Sequence, residues 1–430
     1  MKQQAFKGEI TVFLSLVFVL LVSLVASMIQ SASIHINKSM KRADTELALE
    51  SVFAEYHVKM LEEYQIFAKE GRDEKMISKR LWFYGADNVE HEISKIQLLT
   101  DGGGQAFYRQ AIQAMGGETK EIADVREHTY EQEENRITAE LDKVLQEEEQ
   151  TLPAEDNPLA FVEGLKQKSL LSLVLLNPET ISNRYVKLEA LPSHRALKKG
   201  TENLGGFKGG GITERLQFIA YLTEHFPSYT EESKERALFY EAEYLLGGHA
   251  GDKENLEAVA KKLLHLRMAV NYAYLLTDSI KQGEAEAMAV GLCSLLTVPA
   301  ATELVKQALL FVWAYGESIL DLRVLFRGKA VAPVKTNETW QLQLASLSKL
   351  GTPDEIKEER EAERGLSYEN YISMLLFAEK EETFCMRALD LIEVNLGVPA
   401  DDCVTALEIK STYVMQRGIK DTFLTDYQYE

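Results

Sequence analysis

Acidic residues set inside apolar helical runs are the first candidates for chemistry in this chain. Glu241 and Glu243 flank Ala242 in FYEAEYLL, and Glu317, Asp321 and Arg323 stand near Trp313 in WAYGESILDLRVLF. A buried carboxylate must be paired or protonated. A carboxyl with a perturbed pKa can do acid–base work, and the same groups can form a structural ion-pair network with Arg267 or Arg323. The structural reading is preferred, because no nucleophile, metal set or cofactor loop accompanies them. Glu241, Glu243, Arg267, Glu317, Asp321 and Arg323 are therefore expected to form a buried polar network. No catalytic or metal-ligating residue and no cofactor is assigned.

Other stretches come close to known chemistry and miss. His91-Glu92-Ile93-Ser94-Lys95 has the start of a zinc-protease HExxH helix but puts Lys95 where the second imidazole must be, and an ammonium cannot bind Zn²⁺. GESIL at Gly316 lacks the second glycine of a nucleophile elbow and falls in a helical pattern. His249, Asp252 and Glu254 have spacing that suits a metal or a polar turn capping the next helix, and the turn is the reading adopted. GGFKGGG at 205–211 lacks the Gly-Lys-Ser/Thr ending of a phosphate loop and the spacing of a dinucleotide fingerprint. It reads as a flexible linker.

The elements that must position these residues are mainly helical. Residues 211–350 form the densest helical region: ITERLQFIAYLTEHF with Thr213 as its cap, a helix stopped by Gly247 and Gly248, DKENLEAVAKKLLHLRMAVNYAYLLTD with a long apolar face, and ATELVKQALLFVWAYGESILDLRVLFRGK after Pro299. Lys306, Glu317, Asp321 and Arg323 interrupt this last run, which makes it a buried soluble helix rather than a second membrane span. Residues 351–430 are expected to hold two amphipathic helices, then CVTALEIKSTYVMQ. Its alternation, with Leu407, Ile409, Tyr413 and Met415 on one side, predicts a half-buried strand, and RYVKLEAL is a suggested partner. Residues 71–210 read as a charged, mixed region. Its stretch 71–104 is taken as irregular with a turn at DGGG, residues 118–150 as a solvated surface helix with a thin apolar stripe, and LLSLVLLNP as a strand or buried helix.

The N-terminus carries the clearest signal. Residues 10–29 contain no charge, matching the roughly 20 residues a helix needs to cross ~30 Å of hydrocarbon. A cleaved signal peptide has a shorter apolar core, so an uncleaved transmembrane helix is expected after a short leader, 1–9. Lys2 and Lys7 favour a cytoplasmic N-terminus, while Lys38, Lys41 and Arg42 pull the other way. Gly8 is followed by no glycine or proline until Gly71. One helix is therefore expected to continue as a stalk over 30–70, reaching on the order of 90 Å in all. Leu49, Phe53, Tyr56, Met60, Tyr64 and Phe67 would line one face of it, packed on the protein's own body or on other subunits.

The totals narrow the function. At 430 residues the chain is long enough for two or three domains. A formal charge of −20 argues against a nucleic-acid partner. Its three cysteines are no disulfide scaffold: Cys293 reads as a small buried apolar residue, and Cys385 and Cys403 are a pair only if oxidised outside the cell.

KGEITVFLSLVFVLLVSLVASMIQSA, RADTELALESVFAEYHVKMLEEYQIFA, YEAEYLLGGHAGDKENLEAVAKKLLHLRMAVNYAYLL, WAYGESILDLRVLFRGKAVAPVKTNETWQL and GLSYENYISMLLF together resemble an uncharacterised, domain-of-unknown-function family of single-anchor proteins of Gram-positive bacteria, mostly Firmicutes. The resemblance covers most of the chain, the acidic middle least, and it brings no catalytic residue. It implies a setting beside Tad-like pilus and type II secretion-like machinery, with the bulk of the chain outside the cytoplasmic membrane. A pilin-like leader would be cut between Gly8 and Glu9; the glutamate usual at the fifth position after such a cut is here Phe13, which weighs against processing. The expectation is a mainly α (α+β) protein: a transmembrane helix running into a long stalk, then a multi-helix extracytoplasmic domain with a small β element. Its expected partners are the lipid bilayer and the proteins of a pilus or secretion assembly. Alternatives are an anchored cell-envelope hydrolase using Glu241, Glu243, Glu317 or Asp321, and a tethered sensor or binding domain.

Overall fold

The computed structural model describes residues 5–116, 169–175, 177–201, 205–231, 235–295, 297–350, 362, 365–415 and 418–429. The charged segment 118–150 lies outside them. The protein is mainly α with one small sheet, and it divides into two compact units. Unit 1 joins Met1–Gln110, Leu197–Gly206 and Val398–Glu430; unit 2 is Ala111–Ala196 and Phe207–Gly397. The division at Gly206 and Phe207 falls inside the glycine-rich stretch 205–211. Residues 351–430 do not form one C-terminal piece, as the sequence suggested: the helices up to Gly397 stay with unit 2, and the strands after it join the N-terminal helix.

Unit 1 is built on α1 (Ala5–Phe53). Its apolar part is exposed throughout, with Phe13, Phe18, Leu20 and Ile29 all more than 60% accessible, and it is the one helix among the described residues long and apolar enough to cross a membrane. The hydroxyls of Ser15 and Ser23 donate back to the carbonyls of Val12 and Val19, both at 2.8 Å, which satisfies them without water. From Ile34 onward one face turns inward: Ile34, Lys38 and Lys41 are half-buried, and Thr45, Ala48, Leu49, Val52 and Phe53 are buried. These last apolar residues share a core with Ile77, Leu81, Ile96, Leu98, Leu407 and Ile409.

The helix stops at Phe53, not near residue 70. No glycine or proline ends it; tertiary contacts do. The Phe53 carbonyl accepts a hydrogen bond from the Tyr429 hydroxyl, and its ring stacks on Tyr427 at 4.5 Å between centroids. The His57 amide donates to Ala68 O, and its ring Nδ1 accepts from the Met60 amide at 3.1 Å, capping α2 (Val58–Tyr64). The stripe Leu49, Phe53, Met60 and Tyr64 is buried within the chain's own body.

The rest of unit 1 is a sheet with flanking helices: β1 (Lys69–Glu70), α3 (Glu74–Phe83), β2 (Glu90–Leu98), α4 (Asp101–Ala114, counted in unit 1 as far as Gln110), β3 (Cys403–Val414) and β4 (Lys420–Gln428). Every pairing is antiparallel and runs through β3: Ile93 lies opposite Ile409, Ile409 opposite Thr425, and Lys69 opposite Val404. The half-buried strand is therefore present, but its partners are β1, β2 and β4. RYVKLEAL contributes an isolated bridge from Tyr185 to Gly251 and a 3-10 turn at Leu188–Ala190. The stretch 71–104 is ordered rather than irregular, and His91-Glu92-Ile93-Ser94-Lys95 lies in β2, not on a helix. DGGG is the expected turn: Gly102, Gly103 and Gly104 all have positive φ, at 63°, 73° and 85°, a left-handed run that glycine alone adopts freely. The Asp101 carboxylate accepts from the amides of Leu98 (2.8 Å) and Gly200 (3.1 Å), tying the turn to β2 and to segment 197–201.

Unit 2 is helical: α5 (Leu170–Val174), α6 (Ile212–His225), α7 (Glu241–Gly247), α8 (Asp252–Thr277), α9 (Ser279–Leu295), α10 (Thr302–Phe326), α11 (Tyr368–Ala378) and α12 (Glu381–Leu396). LLSLVLLNP is thus a short buried helix at its start. Helix α6 is capped at Gly211, whose amide donates to Glu214 Oε2 at 2.8 Å; Thr213 sits inside the first turn. Helix α7 ends, as expected, on Gly248 in the left-handed region at φ 66°. Helix α10 is buried on almost every side, with α8 and α9 packed on it. A helix apolar all round belongs at the centre of a core.

Candidate functional site: buried polar clusters of the helical unit

The acids flagged by the sequence do not form one network. They fall into two clusters, with Arg323 in neither.

The first cluster sits on α10. Glu317 and Asp321 are one turn apart, and both are completely buried. Lys335, from the loop after α10, lies 2.6 Å from a carboxylate oxygen of each. Arg267 on α8 closes the other side, with Nη2 2.9 Å from Asp321 Oδ2. Two cations face two anions, so the quartet is neutral, as a water-free interior requires. Its remaining polar atoms are used as well. Asn271 Nδ2 donates to Asp321 Oδ2 at 2.9 Å and to Ser318 Oγ at 3.0 Å; Arg267 Nη1 donates to the Tyr371 hydroxyl at 2.8 Å and to the Pro333 carbonyl at 3.0 Å. Burial would raise the Asp321 carboxyl, but Arg267 and Lys335 together hold it below its ordinary value. Burial pushes Glu317 up, and Lys335 opposes it.

Glu317 also fastens a loop. Its Oε2 accepts from the Leu342 amide at 2.7 Å and its Oε1 from the Gln341 amide at 3.1 Å. The Leu342 carbonyl accepts from two indoles, Trp313 Nε1 (2.8 Å) and Trp340 Nε1 (2.7 Å). Gly316 explains the GESIL glycine. A Cβ there would stand 2.5 Å from Leu342 Cδ2, so any side chain at this position would push Leu342 aside where the loop meets the helix. Ser318 Oγ donates to Ala314 O at 2.7 Å within the helix.

The second cluster sits on α7. Glu241 pairs with Arg236 at 2.5 Å and accepts from Asn395 Nδ2 at 2.6 Å. Glu243 Oε1 accepts from the Tyr368 hydroxyl (2.7 Å) and the Tyr229 amide (2.9 Å). Its Oε2 is buried without a hydrogen-bond partner among the described residues. With no cation beside it among the described residues, burial pushes the Glu243 carboxyl up to about 7. Burial raises Glu241 too, against the pull of Arg236.

The other flagged groups are elsewhere. Arg323 Nε donates to the Leu173 carbonyl at 2.7 Å, which ties α10 to α5. The Asp252 carboxylate accepts from the amides of Phe239 and Tyr240, while Asn255 bonds the His249 backbone in both directions. This group builds the turn before α8. Among the described residues no group of three or more His, Cys, Asp or Glu could hold a metal ion. Cys293, Cys385 and Cys403 are buried and in no disulfide, the last two in different units. Gly8 and Glu9 lie within the backbone of α1.

Sequence reasoning missed Lys335, Arg236 and Asp390. The first two supply the cations that Arg323 was expected to supply. Asp390, buried on α12, accepts from Ser193 Oγ (2.5 Å) and the Tyr244 hydroxyl (2.8 Å), and His194 Nδ1 lies 2.7 Å from the same Ser193 Oγ. The order is carboxylate, hydroxyl, imidazole. A serine nucleophile needs the imidazole in the middle, to take its proton, so this arrangement anchors the 193–194 turn to α12.

Fold and clusters together define a mainly α protein with one helix suited to a membrane and a helical unit whose buried acids are engaged in holding loops and helices. The chain belongs to a family of unknown function, DUF5702, whose model matches residues 147–415. That match takes in most of unit 2 and β3 and leaves α1 outside. No curated protein and no solved structure matches the chain.

Proposed function

We propose that this protein is a membrane-anchored, non-enzymatic component of a Tad-like pilus or type II secretion-like apparatus at a Gram-positive cell surface, pseudopilin-like in its anchor. The observation that carries the reading is α1 itself. Its first half exposes a continuous apolar surface, a patch that water does not tolerate on a monomer, while its second half is buried in unit 1 without a break between them. Such a helix couples a bilayer to a folded body rigidly, as an assembly subunit requires. The engagement of Glu241, Glu317 and Asp321 in ion pairs and loop fastening supports a structural role for the acids. A net charge of −20 suits a body facing solvent and protein partners rather than nucleic acid. The resemblance to single-anchor proteins beside pilus loci supplies the setting and the outward orientation.

Two measurements test this. Deleting the gene is expected to abolish pilus assembly or secretion, and normal pili and secretion without it overturn the assembly role. Protease added to intact protoplasts is expected to digest both folded units and leave only the N-terminal segment. Full protection of the units places them inside and refutes the orientation.

A further inference from the structure

We propose that α1 pairs along its length with α1 of a second copy of this chain, the two helices running parallel through the membrane and beyond it. The inference rests on the anchor part of the reading above and concerns unit 1 alone.

The face concerned is set by spacing. Steps of three and four residues, taken alternately from Val12 to Leu47, meet only valine, isoleucine, leucine, methionine, alanine and serine. Every residue on this line is exposed. Within the lipid such a line carries little information, because most lines there are apolar and acyl chains cover them. The informative part lies past Lys38, the first Asp, Glu, Lys or Arg after Glu9. The Lys38 ammonium is paired with Asp421 of the folded body at 2.7 Å, so the helix has left the hydrocarbon by that point. Yet Met40 is 57% exposed and Leu47 62%. Leu47 stands about 13 Å beyond Lys38, among Asp44, Glu46 and Glu50. Ile36, Met40 and Leu47 are the large apolar residues exposed on α1 after Ile29, and all three fall on the one line.

The repeat identifies what covers this line. A period of 3.5 residues stays on one face only when the helix supercoils about another helix; on a straight helix it drifts about 20° per heptad, or about 100° between Val12 and Leu47. The cover is therefore a helix. The line runs about 52 Å, from lipid into water, so that helix crosses the same bilayer beside α1 and emerges on the same side. A second α1 meets both conditions. Held by the same membrane, it is parallel and at the same height, so each residue of the seam meets its own counterpart. The charges agree. Across a parallel seam Ser39 flanks Asp44 of the second copy and Glu46 flanks its Ser51, so no like charges meet. Lys38, Lys41 and Arg42 are drawn to the body instead, by Asp421, Asp87 and the Phe423 ring. The seam is also open to a second copy. Met40, Ala43 and Leu47 point about 150° around the helix from Thr45, Ala48, Leu49 and Val52, which are buried in unit 1, so the two helices meet with their own sheets on the outer sides.

The test is cysteine cross-linking of the full chain in phosphatidylcholine–phosphatidylglycerol vesicles. Single substitutions are placed on the seam, Val19→Cys, Met40→Cys and Leu47→Cys, and off it, His35→Cys and Arg42→Cys, with unsubstituted protein, its own cysteines buried, as background. Oxidation with copper phenanthroline is followed by non-reducing electrophoresis. The expected result is a product of twice 48.5 kDa from the three seam variants, at least fivefold more abundant than from the two others. Equal cross-linking on and off the seam, or none on it, in protein that stays with the vesicles through an alkaline carbonate wash overturns the pairing and leaves the anchor standing. A seam product of a different mass when the same variants are oxidised in the native membrane makes another protein the occupant and also overturns it. Protein stripped from the vesicles by carbonate overturns the anchor itself, and this inference with it.

Discussion

Glu243 offers the most direct check on how the buried acids behave. Its carboxyl rises from an ordinary 4.5 to about 7 because burial penalises the charge and no cation among the described residues offsets it. A carboxyl held above its unfolded value binds its proton more tightly in the folded state. Its contribution to stability is therefore complete below pH 4.5, falls as pH rises toward 7, and is lost above 7. The span of 2.5 units at 1.36 kcal/mol each amounts to about 3 kcal/mol. Other buried acids titrate as well, so the informative quantity is a difference. Glu243→Gln keeps an oxygen to accept from Tyr368 and Tyr229, places an amide where Oε2 has no partner, and cannot ionise. Denaturant unfolding of both proteins in detergent, followed by tryptophan emission with Trp82 replaced by Phe so that only Trp313 and Trp340 report, gives that difference at each pH. The variant is expected to gain about 3 kcal/mol on the wild type between pH 4.5 and 8, most of it before pH 7. A difference that stays flat across this range refutes the reasoning and means that water or an unseen partner solvates the carboxylate.

The remaining predictions use the same unfolding assay at fixed pH. Asp321→Asn leaves Arg267 and Lys335 facing a single buried anion and is expected to cost about 3–5 kcal/mol; a loss under 1 kcal/mol would mean that the quartet is open to water. Gly316→Ala drives a methyl group into Leu342 and Leu347 and is expected to cost about 1–3 kcal/mol, accompanied by a shift in tryptophan emission because Leu342 holds both indoles. An unchanged spectrum and stability would show that the loop moves aside freely.

Much of this architecture was legible because it depends on local signals. The apolar run at 10–29, the Gly248 stop, the long helices α8 and α10 and the alternation in β3 each follow from a spacing that neighbouring residues impose on themselves. What escaped depends on contacts distant in sequence. Nothing near Phe53 says that the helix ends there; the cause is Tyr429, at the far end of the chain. Strand β2 hides in a charged segment because half of its residues face solvent, and its partner is more than 300 residues away. The candidate site shows the same division. Acids in apolar helices announce themselves by their cost, so Glu241, Glu243, Glu317 and Asp321 were found. The cations that neutralise them sit in loops of ordinary polar composition, where Lys335 and Arg236 look like any surface residue. Arg323 was chosen for its nearness in sequence to Asp321, yet a residue two positions along a helix points away from its neighbour, and Arg323 serves α5. A buried charge in a sequence thus predicts that a counter-charge exists but not which one. Lys335, 14 residues beyond Asp321 and past the end of its helix, could be identified only once the loop was seen to fold back.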